Sequence, residues 1–195
     1  WNNPEPEVVL AANSRGEVVG ATLGNDVNLR DVEGRSALLL GKAKDNNASS
    51  SIGPLIRLFD DRFTMDDVRA AELDLTVTGT DGYVLEGRSS MREISRDPLD
   101  LVAQTCSRHH QYPDGFMLFL GTLFAPVEDR DVAGQGFTHK LGDTVEIAWE
   151  NIVGGYDPWT ATVTGVGDGN GGLKVVYASD GSTDVIEGKD VPFCV

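Results

Sequence analysis

Apolar residues near the start of the chain form two short runs that predict a pair of β-strands. Residues 8–12 (VVLAA) make the first run, and residues 17–23 (EVVGATL) make the second. Residues 13–16 (NSRG) join them with the composition of a tight turn, in which glycine supplies a positive φ. We therefore predict an antiparallel hairpin, in which residues ahead of the first strand lie beside those that end the second.

The middle of the chain mixes predicted helices and strands. Residues 29–57 carry few periodic signals, which is typical of a functional loop or a disordered segment. Residues 64–67 (TMDD) resemble a capping box ahead of a short helix. Alternating apolar positions predict a strand at 73–77, and the Asp-Gly pair at 81–82 predicts a turn into a second strand at 83–88.

The later segments predict one more helix and then strands alone. Asp97 and Pro98 form a typical helix start, with an aspartate cap followed by proline in the first turn. Residues 115–126 (GFMLFLGTLFAP) contain a strongly apolar strand that ends at a Gly-Thr pair. Further strands are predicted at residues 144–150, 159–166, 172–179 and 183–188.

These elements predict a mainly β, α+β fold in two parts. We expect a first domain at residues 1–140 and a small SH3-like barrel at residues 141–195. Four or five short strands joined by tight turns suit such a barrel. The second part is also one-sided in charge, with nine acidic and two basic residues.

Composition narrows the classes of partner. Sixteen basic against thirty-one acidic side chains give a formal charge of −15, which argues against nucleic acids and membranes as partners. No apolar run reaches the length of a membrane span. Cys106 and Cys194 lack metal-ligand spacing, so we expect reduced thiols in a cytoplasmic protein. The chain opens with Trp1 and lacks a secretory signal, and we expect a fragment whose beginning lies upstream.

Acidic residues stand at the two ends of the predicted hairpin that should adjoin. Glu5 and Glu7, two positions apart on a strand, share one face and can both reach one cation. Asp26 would be the third ligand. A small set of oxygen ligands suits Mg²⁺ or Mn²⁺. The alternative is that both glutamates are solvent-facing edge residues beside Pro4 and Pro6.

Five separated segments favour the metal site, because together they resemble the fumarylacetoacetate hydrolase family from residue 1 to about residue 147. Within that family, the chain is most similar to the branch that dehydrates 2-keto-3-deoxy sugar acids such as 2-keto-3-deoxy-D-arabinonate. The resemblance implies a curled β-sheet domain. The matching segments are PEPEVVL (4–10), GATLGNDVNLRD (20–31), KAKDNNASSSIGP (42–54), FMLFLGTLFAP (116–126) and GFTHKLGDTVEI (136–147).

The resemblance implies roles for individual residues. Glu5, Glu7 and Asp26 would hold Mg²⁺, or Mn²⁺ in its place, and the ion would bind the carboxylate and keto oxygens of a 2-keto acid. Lys44 matches the family's loop lysine, which would stabilise an enolate or move a proton once burial and the metal lower its pKa. Lys42 is the second candidate for that role.

Other matched positions concern the substrate. Gly121 and Thr122 correspond to the Gly-Thr pair that helps to hold the substrate carboxylate in the family. Arg30 matches a family arginine, for which an ion pair with Asp31 or Asp26 is expected ahead of substrate contact.

Three further residues bear on the chemistry. His109 and His110 follow a predicted helix and precede a turn, so a structural or exposed position is expected for them. Glu33 stands where hydrolytic family members have glutamine, which favours dehydration over hydrolysis of a C–C bond.

The tail departs from the family and resembles a Tudor-like or SH3-like module. Trp149, Tyr156, Trp159 and Tyr177 would form an aromatic cage for a methylated lysine or arginine of a basic peptide. The alternative is that these aromatic residues simply fill the core of a very small barrel.

Two functions from different classes remain at this level. The first is a Mg²⁺-dependent dehydratase or hydrolase acting on a 2-keto-3-deoxy sugar acid, in a homodimer as is usual for the family. The second is an inactive catalytic part joined to a peptide-binding tail. Family members carry a further stretch ahead of the Glu-x-Glu segment that contributes to the active-site wall, and this chain contains none of it.

Overall fold

The computed structural model describes residues 1–45, 50–53, 55–149 and 152, and the backbone of three strands in the tail. The strands are β1 Asn2–Asn3, β2 Pro6–Ala12, β3 Val18–Asp26, β4 Asn28–Leu29, β5 Ser50–Ile52, β6 Arg57–Leu58, β7 Glu72–Thr78, β8 Val84–Ser90, β9 Phe116–Phe119, β10 Thr144–Trp149, β11 Trp159–Thr164, β12 Lys174–Ala178 and β13 Val185–Ile186. The helices are α1 Arg30–Glu33, α2 Leu40–Ala43, α3 Met65–Arg69 and α4 Pro98–Thr105, with 3₁₀ turns at Ala37–Leu39 and Met91–Glu93.

Two antiparallel sheets dominate the fold. The first has the order β5-β3-β2-β9, and β6 also pairs with β3. The second has the order β13-β12-β11-β10-β7-β8. The mainly β fold with a curled sheet that the sequence predicted is confirmed. No helix in the described part of the chain is long and apolar enough to cross a bilayer.

The local predictions hold where the structure describes them. The hairpin of β2 and β3 pairs Glu7 with Gly24 and Val8 with Leu23, as an antiparallel hairpin should. Thr64 caps α3 in a reciprocal capping box with Asp67. The predicted helix at Pro98 and the strands β7, β8 and β9 are present. The segment with few periodic signals contains the short helices α1 and α2 in its described part.

The hydrophobic core connects the two larger sheets. Every residue of β2 is buried, which is why the strand has no polar face except where Glu7 reaches the site. Apolar side chains from β7 and β10 complete the same cluster, together with Phe63 below them. The hairpin that carries the acidic residues is therefore fixed by core packing along its whole length.

The tail continues the second sheet. Strand β10 pairs with β7 through five residue pairs, and β11, β12 and β13 follow in sequence order. The SH3-like barrel and the domain division near residue 140 stay predictions, because most of the tail lies outside the described residues.

Gly24 has a packing reason to be glycine. It lies opposite Glu7, and a Cβ added there would come within 2.5 Å of the Phe119 ring and 2.6 Å of a Val9 methyl group. These distances are far below van der Waals contact, so the neighbours would have to move. The missing side chain thus lets β9 and β2 pack closely beside the acidic residues.

We expect Gly24→Ala to lower the free energy of unfolding by about 1–3 kcal/mol, because Phe119 and Val9 must leave their packed positions. Gly41→Ala is the control. Its Cβ meets nothing within 4 Å among the described residues, and alanine is the better helix former in α2. Urea denaturation measures both, and equal stabilities of the two variants would contradict the packing argument.

Candidate metal centre

Three acidic side chains converge where β2 begins and β3 ends. Carboxylate oxygens of Glu5, Glu7 and Asp26 all lie within 4.8 Å of one another. The backbone N–H of Asp26 donates to the Glu5 carbonyl at 3.0 Å, so the two strand ends are joined directly. The prediction that the hairpin brings these residues together is confirmed, and their arrangement can hold a metal ion.

Glu7 is the most buried of the three acids. Its side chain belongs to a residue that is 2% exposed, and its Oε2 accepts the backbone N–H of Gly121 at 2.7 Å. Burial raises the pKa of Glu7 to about 7, against the lowering effect of that hydrogen bond. The neighbouring charges of Asp26 and Glu5 push the pKa in the same direction as burial. Glu7 therefore gains most from a cation or a proton.

Lys44 supplies the positive charge at this cluster. Its ammonium contacts Glu5 Oε2 and lies 2.9 Å from Asp26 Oδ2, and it also donates to the Asp26 carbonyl at 3.0 Å. Lys42, two residues earlier, points instead to Asp45 at 2.6 Å and is exposed. The structure thus brings the first of the two candidate lysines to the acids and not the second.

The pKa of Lys44 differs from the expectation. Burial lowers it, but the hydrogen bonds and charges of Glu5 and Asp26 outweigh burial, and the result is a pKa above the usual value. Burial raises the pKa of Glu5, and the Lys44 ammonium works against that rise. The expected lowering of the lysine pKa is wrong for the metal-free arrangement, because the two carboxylates are free to face the ammonium.

The donor set fits a hard divalent cation. The cluster offers only carboxylate oxygens, which Mg²⁺ and Mn²⁺ prefer. Three carboxylates and one ammonium leave two negative charges when all four groups are ionised, which is the charge that one divalent ion neutralises.

Two asparagines hold the acids in place, and sequence reasoning missed both. Asn25 Oδ1 accepts the backbone N–H of Glu5 at 2.9 Å. Asn28 is fully buried and donates to Glu5 Oε1 at 2.8 Å, and the same amide contacts Glu33. Their only sequence signal was their place within the family segment GATLGNDVNLRD, where the structure now gives them a positioning role.

The Gly-Thr pair lies beside the cluster, as the resemblance implied. Gly121 adopts a φ of 91°, which favours glycine and lets its N–H point at Glu7. Thr122 Oγ1 accepts the Phe124 N–H at 3.1 Å and lies 3.5 Å from Ser89 Oγ. Ser89, which sequence reasoning also missed, has no signal in its local pattern. The substrate role of the pair stays a prediction.

Other candidates lie elsewhere. The ion pair expected for Arg30 is not among those formed by the described residues: Asp31 pairs with the Trp1 amino group at 3.4 Å, and Asp26 pairs with Lys44. Arg30 is half-buried and its substrate contact stays a prediction.

The two histidines and one cysteine fit the expectations as far as the structure describes them. His109 and His110 are exposed in the loop after α4, away from the acidic cluster. Cys106 is a free thiol within the described part of the chain, and Cys194 lies outside it.

A buried ionic cluster near the other end of the first part was not anticipated. Arg130 and Asp143, each with a side chain 1% exposed, form an ion pair with Arg130 Nη2 at 2.9 Å from Asp143 Oδ1. His139 Nδ1 lies 3.4 Å from the same carboxylate, and burial lowers the pKa of His139. The cluster anchors the irregular segment ahead of β10.

Of the four proposed cage residues, only the side chain of Trp149 is described. It is 2% exposed and packs against Phe63 with ring centroids 5.6 Å apart, so the core accounts for its size. Tyr156 and the side chains of Trp159 and Tyr177 lie outside the described residues. The cage, its peptide partner and the homodimer stay predictions.

Comparison with known proteins identifies the family. The family model described as fumarylacetoacetate (FAA) hydrolase C-terminal matches residues 6–155. The chain belongs to the fumarylacetoacetate hydrolase family. The matched region includes Glu7, Asp26, Lys44 and Gly121, and Glu5 stands one residue ahead of it.

Relatives within this family are dehydratases of sugar acids. The probable 2-keto-3-deoxyxylonate dehydratase of Haloferax volcanii is 31% identical over 152 residues, which are 78% of this chain and 48% of the relative. The 2-dehydro-3-deoxy-D-arabinonate dehydratase of Saccharolobus solfataricus is 28% identical over 155 residues, which are 78% of this chain and 47% of the relative. The chain thus spans about half the length of these curated relatives.

Solved structures point to the same branch of the family. A 2-keto-3-deoxy-D-arabinonate dehydratase complexed with magnesium and 2,5-dioxopentanoate matches with a TM-score of 0.65 at 28% identity. The match covers 82% of this chain and 52% of that chain. The branch that the sequence motifs indicated is therefore confirmed.

In the metal-free protein, we expect Glu7→Gln to be more stable than the wild type at about pH 8, by roughly 2–3 kcal/mol. The folded pKa of about 7 exceeds the ordinary value of 4.5, so between these values the folded state holds a proton that the unfolded state releases. Wild-type stability is therefore lost as pH rises through that window, while glutamine does not ionise and still accepts the Gly121 N–H.

Urea denaturation in the presence of a chelator measures this difference, which should shrink towards zero at about pH 4.5. Glu86→Gln on the exposed side of β8 makes the same chemical change away from the site and should show no such pH dependence. A Glu7→Gln variant that is less stable than the wild type at both pH values would contradict the assignment.

Proposed function

We propose that this chain carries the metal-binding part of a dehydratase that acts on 2-keto-3-deoxy sugar acids, with Mg²⁺ as its cofactor. The observation that carries the proposal is the convergence of Glu5, Glu7 and Asp26, whose carboxylate oxygens lie within 4.8 Å of one another. The relatives named as dehydratases of such acids, and the one solved with magnesium and 2,5-dioxopentanoate, support the choice of substrate and metal. Mn²⁺ shares these ligand preferences and is the second choice.

The chemistry requires an acidic C3 proton. When bound, Mg²⁺ supplies the Lewis acidity that polarises the keto carbonyl of a 2-keto acid and acidifies the neighbouring C–H bonds. We assign Lys44 to the proton transfer. Its amine takes the proton from C3, the electron pair forms the C3–C4 double bond, and the C4 hydroxyl leaves as water with a proton returned by the ammonium.

Lys44 must be neutral to act as a base, and its surroundings provide a route to that state. Burial lowers its pKa, while Glu5 and Asp26 raise it. Carboxylates that bind a divalent cation share their charge with it and hold the ammonium less strongly. Burial then becomes the larger effect on the lysine, and its pKa falls towards the working range of a general base.

Gly121 and Thr122 are assigned to the other end of the site. The N–H of Gly121 orients the Glu7 carboxylate at 2.7 Å. The Thr122 backbone N–H donates to no acceptor within the described residues, which leaves it available for a substrate carboxylate. Its hydroxyl, fixed by the Phe124 N–H at 3.1 Å, faces the same region.

We expect Mg²⁺ at millimolar concentration to raise the melting temperature of the wild-type chain by several degrees, because an ion that binds only the folded state stabilises it by mass action. Glu7→Gln should abolish the shift, since it removes the most buried ligand. Glu86→Gln, which changes an exposed acid outside the cluster, should retain it. Scanning calorimetry measures the shift, and its absence in the wild type would refute the metal site.

Proton transfer is tested separately by exchange of the C3 protons of 2-oxobutanoate in D₂O with Mg²⁺, followed by proton NMR. We expect Lys44→Met to lower the exchange rate by about 100-fold or more, the usual contribution of a general base. Lys42→Met is the matched control and should exchange at the wild-type rate, because that side chain binds Asp45. Equal losses in both variants would contradict the assignment of Lys44.

A further inference from the structure

A cavity of about 240 Å³ opens beside the turn that follows β9. Residues 89–95 form one wall and residues 120–123 form the other. Gly121 lines the cavity and also donates its N–H to Glu7 Oε2, so the cavity adjoins the acidic cluster. Thr122 lines it as well. A ligand held at the carboxylates therefore has this cavity within reach of its remaining atoms.

The polar groups of the cavity fall into two kinds. Ser89 and Ser90 are used inside the protein: the first accepts a backbone N–H of the opposite wall at 3.1 Å, and the second donates to a glutamate of β7 at 2.7 Å. Glu93 and Ser95 are exposed, and their side chains make no hydrogen bond or ion pair within the described residues. The cavity thus presents one carboxylate and one hydroxyl with unused bonding capacity.

The apolar part of the lining completes the picture. Met91 and Leu120 are 5% and 6% exposed and belong to the hydrophobic core, so they give the cavity a fixed apolar base. Carbon atoms of a short chain pack on such a base, while hydroxyl groups need the polar rim. A carboxylate at the rim accepts hydrogen bonds from hydroxyls and repels a second carboxylate.

We propose that this cavity receives the hydroxylated carbon chain beyond C3 of the keto acid, with Glu93 and Ser95 as the residues that determine specificity. The inference rests on the proposed function, because that function places the 2-keto carboxylate head at the acidic cluster. Glu93 selects hydroxyl-bearing chains over chains that end in a carboxylate. Ser95 offers a second hydrogen bond to a hydroxyl on the same side.

The test compares three acids that share a 2-keto carboxylate head and differ in the chain. They are 2-oxobutanoate with a plain chain, 2-keto-3-deoxy-D-arabinonate with a hydroxylated chain, and 2-oxoglutarate with a terminal carboxylate. Calorimetric titration of the purified chain with saturating Mg²⁺ gives the affinity for each acid. The variants are Glu93→Gln and Ser95→Ala, both at exposed positions, with Glu86→Gln as the matched control on β8.

Glu93→Gln should change two affinities in opposite directions. We expect it to weaken the hydroxylated acid and to strengthen 2-oxoglutarate, each by roughly 3- to 5-fold, the effect of one exposed charge. Ser95→Ala should weaken only the hydroxylated acid. Glu86→Gln should change none of the ratios, and 2-oxobutanoate should bind all four proteins alike. Opposite shifts in one variant exclude general damage to the fold as the cause.

Two results would overturn the inference, and they differ from each other. If the wild type binds 2-oxobutanoate but Glu93→Gln leaves the ratio between the other two acids unchanged, the cavity does not determine specificity and the proposed function stands. If none of the three acids binds the wild type in the presence of Mg²⁺, the proposed function fails and the cavity assignment fails with it.

Discussion

Three carboxylates gathered at the ends of one hairpin are the constraint on which the rest of the structure depends. Bringing Glu5, Glu7 and Asp26 together away from water is unfavourable unless donors and positive charge accompany them. The compensation comes from Lys44 beyond α2, from the Gly121 N–H at the end of β9 and from Asn28 in β4. Each partner lies on a different segment, so the segments must be in their folded places before the acids can be.

The compensation is unequal, and the inequality separates the roles of the acids. Glu5 and Asp26 share the Lys44 ammonium, while Glu7 has a single neutral donor and the pKa that rises to about 7. A divalent ion that takes up the carboxylates would relieve Glu7 most and would loosen Lys44 at the same time. Filling the site and freeing the base are thus two consequences of one redistribution of charge.

The separation of contacts along the chain decides how much could be predicted from sequence. The hairpin links Glu7 to Asp26 over a short loop, and its alternation and turn residues sufficed to bring the acids together. Gly121 meets Glu7 across 114 positions through a backbone N–H, which no side-chain pattern records. Lys42 and Lys44 carry identical chemistry, and only the short helix between them and the acids decides which one turns inward.

The turn after β9 connects the two ends of the proposed ligand. Its Gly121 N–H orients a metal-binding carboxylate, and its Leu123 N–H is held by Ser89 on the cavity wall at 3.1 Å. Ser89 is 5% exposed and lies on β8, which belongs to the other large sheet. The distance between the metal-binding end and the cavity is therefore set by the packing of the two sheets and not by a flexible loop. A keto acid of a given length can meet both ends only because this turn is fastened on each side.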